Sequence, residues 1–120
     1  MLSLILASAL SLSHQDERVF NPVLQPAGNG DVAVTVVVPD GFALYADRSK
    51  VDARGAAVEV VTKPVLKNDP VMGPELLWRG EARWLVRGLA AGSQIDVVLQ
   101  GCNEVEQICY PPERVTLTAQ

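Results

Sequence analysis

The sequence predicts an all-β sandwich, and three observations carry that prediction. Short runs rich in β-branched residues recur at roughly 8–15-residue spacing. Turn-forming Gly, Pro, Asp and Asn residues punctuate the intervals between them. No stretch beyond residue 13 keeps a helical period over more than one turn.

Val32-Ala33-Val34-Thr35-Val36-Val37-Val38 is the strongest strand, bounded by Gly30-Asp31 and by Pro39-Asp40-Gly41. That second boundary is a turn with a mechanism, because Pro presets φ and Gly accepts a positive φ. Phe42 to Tyr45 reads as a short strand, and Ala57 to Thr62 as another. Pro64, Pro70, Gly73 and Pro74 mark residues 64–74 as a loop or irregular edge. Leu76-Leu77-Trp78 has the length of one helical turn at most. Glu81 to Val86 alternates, placing Ala82, Trp84 and Val86 on one face. Ser93 to Gln100 puts Ile95, Val97 and Leu99 on one face, and Arg114 to Thr118 does the same with Val115 and Leu117. These last two strands are expected to pair antiparallel.

A chain of 120 residues, 48% of them hydrophobic, is one domain with enough apolar material for a core. A net charge of −4 with scattered Lys and Arg argues against nucleic acid or an anionic lipid surface as a partner. Residues 1–13, MLSLILASALSLS, read as the remnant of a secretory signal: apolar, then small. They are shorter than the roughly 20 residues a membrane-spanning helix needs, so the mature domain is not expected to insert in the membrane. The first basic residue is Arg18, so the true start is expected upstream. A buried N-terminal strand or helix is the other reading of this segment. On the export reading, residues 14–120 are the folded domain, in a compartment where disulfides persist.

The only two cysteines are Cys102 and Cys109, with six residues between them. Their surroundings look like the neck of a hairpin joining the two C-terminal strands. A bridge here closes a short loop, worth about 2–3 kcal/mol on chain entropy. It links no distant elements, and its loop carries Glu104 and Glu106. The pair is therefore either a structural staple or a redox switch. Other chemistry is poorly supported. Structural zinc takes four Cys or His ligands, and beyond the two cysteines the chain offers only His14, so no metal is expected. A cysteine nucleophile of the hydrolase kind needs a base, normally His. Glu104, Glu106, Asp40 and Asp47 show no hydrolase spacing and read as solvated loop carboxylates. Gly28-Asn29-Gly30 lacks the strand-to-helix setting of a phosphate cradle.

Gln100-Gly101-Cys102 followed by Cys109-Tyr110-Pro111-Pro112-Glu113 closely resembles the signature of the N-terminal periplasmic domain of DsbD, a transmembrane thiol:disulfide interchange protein. Pro39 to Tyr45 resembles that family's Asp-Gly-aromatic-x-Leu-Tyr segment, and Asn68 to Gly73 falls where the family carries a cap loop. The resemblance runs from about Val32 to Thr118. It implies an immunoglobulin-like antiparallel sandwich, a periplasmic location and thiol-disulfide oxidoreductase activity without a cofactor. It further implies that Cys102 and Cys109 relay reducing equivalents, with Cys109 forming mixed disulfides and Cys102 resolving them. Electrons would arrive from the C-terminal thioredoxin-like domain of a DsbD-type protein. They would leave to thioredoxin-fold proteins of the DsbC and CcmG kinds, serving disulfide isomerisation and cytochrome c maturation.

By the same resemblance Asp69, Val71 and Met72 form the shielding cap, while Phe42, Tyr45, Tyr110, Pro111 and Pro112 support the site. Three departures from the family pattern stand out. The cysteine loop is one residue longer, which predicts a bulge. Pro70 and Val71 replace an acid and an aromatic in the cap. No membrane region or Cys-x-x-Cys domain follows, as in an excised domain or a free-standing module. The competing reading remains an exported β-sandwich module for binding or structure, whose disulfide is inert. A homologue that keeps the fold but carries no electrons is the third.

Overall fold

The structure is a computed structural model that describes residues 18–120. The signal-remnant reading of residues 1–13, and the start of the domain at residue 14, fall outside the described residues. The β-branched run at 32–38 organises one layer, in the order β1-β2-β8-β5. Its strands are β1 (Pro22–Gly28), β2 (Asp31–Val38), β5 (Ala57–Val60) and β8 (Gly80–Arg87). β2 and β8 pair antiparallel, with Val34 opposite Trp84 and Val36 opposite Ala82.

Two sheets face this layer. One has the order β12-β9-β4, from β4 (Lys50–Asp52), β9 (Gln94–Leu99) and β12 (Glu113–Thr118). The other has the order β11-β10-β3-β7-β6. It contains β3 (Phe42–Tyr45), β6 (Val65–Asp69), β7 (Gly73–Trp78), β10 (Gly101–Asn103) and β11 (Ile108–Cys109). β9 runs into β10 across Gln100 alone, so the two sheets share a continuous chain. Ser49 stitches the same junction: its Oγ accepts from Gln100 N at 3.2 Å.

The alternation read from the sequence sets the core. Val34, Val36 and Val38 face inward with Ala82, Trp84 and Val86, and Leu44, Trp78, Ile95, Val97 and Leu99 meet them from the other side. Trp78 and Trp84 pack edge to face with centroids 5.1 Å apart. The Trp78 indole N–H, which must find an acceptor when buried, donates to Thr62 O at 2.7 Å. The fold is the all-β antiparallel sandwich that the patterning predicts.

Residues 64–74 are more regular than expected. They form most of the β6–β7 hairpin, in register from Val65 opposite Leu77 to Asp69 opposite Gly73. Pro70 lies in the turn, and Gly73 supplies a φ of 84° just after it, so the punctuation marks a hairpin end rather than a loop. Leu76-Leu77-Trp78 is strand, not helix. Leu77 and Trp78 are both buried, on opposite faces, and a run buried on both faces loses the period that identifies a strand. β1 and β4 carry no strong sequence pattern: β1 contains Pro26 and survives as an edge strand, and β4 has three residues.

The two C-terminal strands bend together. Leu99 pairs with Glu113 and Cys102 with Cys109, so Gln100-Gly101 faces Tyr110-Pro111-Pro112, two residues against three. This is a bulge, and it lies beside the prolines rather than in the cysteine loop. Tyr110 N still donates to Gly101 O at 3.0 Å; the prolines, having no N–H, end the ladder there. A Cβ on Gly101 would collide with the Ala43 carbonyl oxygen and approach Phe20 Cζ at 2.7 Å. Gly101→Ala is therefore expected to cost about 1–3 kcal/mol in urea unfolding. A loss under about 0.5 kcal/mol, the range of unconstrained surface changes, would contradict this packing.

Candidate functional site

Cys102 and Cys109 are direct partners in the β10–β11 ladder, with Cα atoms 4.0 Å apart and a disulfide between them. Cross-strand partners point to the same face of a sheet, which is why the pair can close. The two sulfurs differ in access. Cys102 is 4% exposed, covered on the β3 side where it pairs with Ala43. Cys109, on the two-residue edge strand β11, is exposed. The Tyr45 hydroxyl lies 3.2 Å from Cys102 Sγ, and because a disulfide sulfur carries no hydrogen the hydroxyl is the donor. The Arg48 guanidinium lies 5.1 Å from the centroid of the Tyr45 ring and reaches Glu75 at 3.4 Å.

The loop between the cysteines is a closed turn. Asn103 Oδ1 accepts from Val105 N and Glu106 N at 3.0 and 3.1 Å. Gln107 takes a left-handed φ of 57°, which lets the loop end without disturbing the Asn103–Ile108 pair. The expected bulge is thus absent from this loop. On the opposite face of the hairpin, Phe20, Phe42 and Tyr110 form an aromatic row. Phe20 and Phe42 meet edge to face, and Phe42 and Tyr110 stack, both at 6.3 Å.

In front of the sulfurs, Tyr45, Asp69, Met72, Cys102, Gln107 and Cys109 line an open cleft of about 360 Å³. Asp69 shapes its rim: Oδ1 accepts from Val71 N at 2.8 Å and Met72 N at 3.0 Å, and these bonds hold its carboxyl below the usual carboxylate range. Val71 is 89% exposed and Met72 61%. They border the cleft without sealing it, and Cys109 remains reachable.

Glu104 departs from the expectation of a solvated loop carboxylate; Glu106 is exposed. Arg79 Nε and Nη2 donate to the two Glu104 oxygens at 2.8 Å each, and Lys67 Nζ donates to Oε2 at 2.9 Å. The Arg79 fork, with Lys67 added, pulls the Glu104 pKa down to about 2, and the Lys67 and Arg79 pKa values are raised in return.

The cysteines, Tyr45, Asp69, Val71 and Met72 named from the sequence therefore meet around one cleft. Phe42 and Tyr110 buttress the hairpin from behind, and Pro111 and Pro112 shape its exit. Sequence reasoning missed Phe20, Arg48, Lys67, Arg79 and the pairing of Glu104. Val19-Phe20 before Asn21-Pro22 is the one apolar signal for Phe20. The charged residues meet across 25 and 37 positions of chain, with no local pattern to reveal them.

Fold and site together define a thiol–disulfide exchange domain built on an immunoglobulin-like sandwich. A family model described as "Thiol:disulfide interchange protein DsbD, N-terminal" matches residues 11–120, and the chain belongs to that family. Among solved structures, it is similar to the Neisseria meningitidis DsbD N-terminal domain in the reduced form. Identity is 28% and the TM-score 0.65, over 87% of this chain and 86% of that one. It is also similar to a chain from a study of the complex between the DsbD N-terminal and PilB N-terminal domains of Neisseria meningitidis. Here identity is 25% and the TM-score 0.63, over 85% and 83%. No curated protein sequence matches the chain.

The Glu104 arrangement has a pH signature. Its pKa is depressed in the folded state, so its stabilisation is full above its ordinary value of 4.5 and is lost as pH falls towards 2. Solvent screening reduces this linkage, because the Lys67 and Arg79 side chains are one-third to one-half exposed. Between pH 6 and pH 3 the protein is expected to lose about 1 kcal/mol more stability than Glu104→Gln, read from urea unfolding at both pH values. Equal losses would show that Glu104 is unpaired in solution.

Proposed function

We propose that the domain relays reducing equivalents between thioredoxin-fold proteins in the periplasm, as a protein-disulfide reductase acting through Cys102 and Cys109. The observation that carries this reading is the asymmetry of the pair: an exposed Cys109 beside a buried Cys102 that accepts a hydrogen bond from Tyr45. An attacking thiolate needs an accessible sulfur and a stabilised leaving group. Cys109 offers the first and Cys102 the second.

A donor thiolate attacks Cys109 Sγ. The Cys102–Cys109 bond breaks, its electron pair leaves on Cys102 Sγ, and a mixed disulfide forms through Cys109. The donor's second thiolate displaces Cys109 from that bond, so the donor departs as a disulfide and the domain holds two thiols. Delivery runs the steps in reverse. Cys109 attacks an acceptor disulfide, and Cys102 then attacks Cys109 Sγ, which re-forms the internal bridge and releases the acceptor as a dithiol. Two electrons cross in each exchange. The Tyr45 O–H stabilises the Cys102 thiolate in both directions.

The reduced form of one Neisseria relative, and the complex studied for the other, support a pair that cycles and a surface that docks a protein domain. The donor on this reading is the C-terminal thioredoxin-like domain of a DsbD-type protein, and the acceptors are proteins of the DsbC and CcmG kinds. Residues 1–13 act as an export signal and residues 14–120 as the exchange domain. Val71, Met72 and Asp69 form the rim a partner must meet before reaching Cys109. No observation favours an inert staple, which would not require an exposed sulfur.

A reduced thioredoxin-like donor poised near about −270 mV is expected to reduce the pair, counted by trapping free thiols. Tyr45→Phe is expected to slow that reduction about tenfold, the worth of one hydrogen bond to a charged group. A pair that stays oxidised would overturn the relay. An unchanged rate in Tyr45→Phe would remove Tyr45 from it.

A further inference from the structure

The β6–β7 hairpin is a projecting arm. β7 pairs with β3 only through Trp78 and Leu77, opposite Leu44 and Tyr45. Among the described residues, its ladder partner from Leu76 to Gly73 is β6 alone, and β6 has no other strand neighbour. A two-stranded ribbon is marginal by itself in water. Leu77 and Trp78 bury its root, but its outer apolar side chains do not anchor it, since Leu66 is 60% exposed and Leu76 39%. Yet this ribbon carries the turn that borders the disulfide cleft.

Among the described residues, two side-chain hydrogen-bonded ties hold the outer arm to the rest of the molecule. Arg48 reaches Glu75 at 3.4 Å, a long contact. Glu104 makes the closer one. It follows Cys102 by two residues, and its own N–H is fixed to Gly41 O at 2.8 Å. Arg79, at the root of the arm between β7 and β8, grips the carboxylate with two bonds. Lys67, inside the arm and two residues before Asp69, adds one. The bidentate Arg bond is the geometrically stronger link, so the single Lys67 bond is the one that yields first.

We propose that Glu104 is a positioning residue that latches the β6–β7 arm to the disulfide hairpin through Lys67, and that a protein partner gains full access to Cys109 by breaking this one bond while Arg79 keeps Glu104 in place. The second half rests on the relay reading above; the first half does not.

Amide hydrogen exchange tests the latch directly. In Glu104→Gln, and independently in Lys67→Met, exchange in residues 65–69 and 73–76 is expected to rise about fivefold, the scale of one exposed-to-half-buried ion pair, while residues 94–99 stay unchanged. Unchanged exchange in the arm, or an equal rise in β9, would overturn the latch. Reduction rates separate access from general loosening. Both variants are expected to react faster with reduced thioredoxin and at the wild-type rate with dithiothreitol, which already reaches Cys109. The two substitutions change net charge in opposite directions, so a shared acceleration is not electrostatic steering. Acceleration by both reagents alike would overturn the access claim. Faster arm exchange with no thioredoxin reaction in any form would leave the latch standing and overturn the relay.

Discussion

The pairing of β10 with β3 decides where each sulfur lies. Gly101 opposite Leu44 and Cys102 opposite Ala43 put the Cys102 side chain on the outer face of the sheet, beside Tyr45 and away from the core. A slip of one residue would turn the thiol inward and move Tyr45 from its sulfur. Gly101 makes the register workable, because any side chain there would strike Ala43 and Phe20. β11 then inherits its position from β10, and the edge leaves Cys109 open. The chemical inequality of the two sulfurs follows from strand order and register.

The hairpin is supported differently on its two sides. Behind it, Phe20, Phe42 and Tyr110 make aromatic contacts of the kind that fix geometry beyond simple burial. In front, across the cleft, the contacts are ion pairs from Lys67 and Arg79 to Glu104. Ion pairs at partly exposed sites are weak and replaceable, which suits a face that must admit another protein. A redox pair needs both properties. The cysteines must stay close enough to re-form their bond, and one of them must be within a partner's reach.

What was legible in the sequence follows from physical range. β2, β8 and β9 announce themselves through alternation, because one face is buried and the other is not. The cysteine pair and the Tyr-Pro-Pro that follows it are local in sequence, and so is the turn chemistry at Pro39-Asp40-Gly41. The β6–β7 hairpin was obscured because its prolines sit at a turn and an edge, where they are tolerated, and because Leu77 and Trp78 are buried on opposite faces. Glu104 was unreadable as a paired residue: its partners lie far along the chain, and only the folded sheets bring them together. Phe20 was hidden for the same reason, since its role depends on a glycine 81 positions away.

On the proposed relay, partners meet this domain through Cys109, and Cys102 is the buried member that closes the cycle. Trapping with single-cysteine variants measures this most directly. Cys102→Ala, presented to a thioredoxin-fold protein carrying a disulfide, is predicted to accumulate a mixed disulfide through Cys109 that nothing resolves. Cys109→Ala is predicted to accumulate little or none, because its remaining thiol is covered. An adduct forming as readily in Cys109→Ala as in Cys102→Ala would contradict the account.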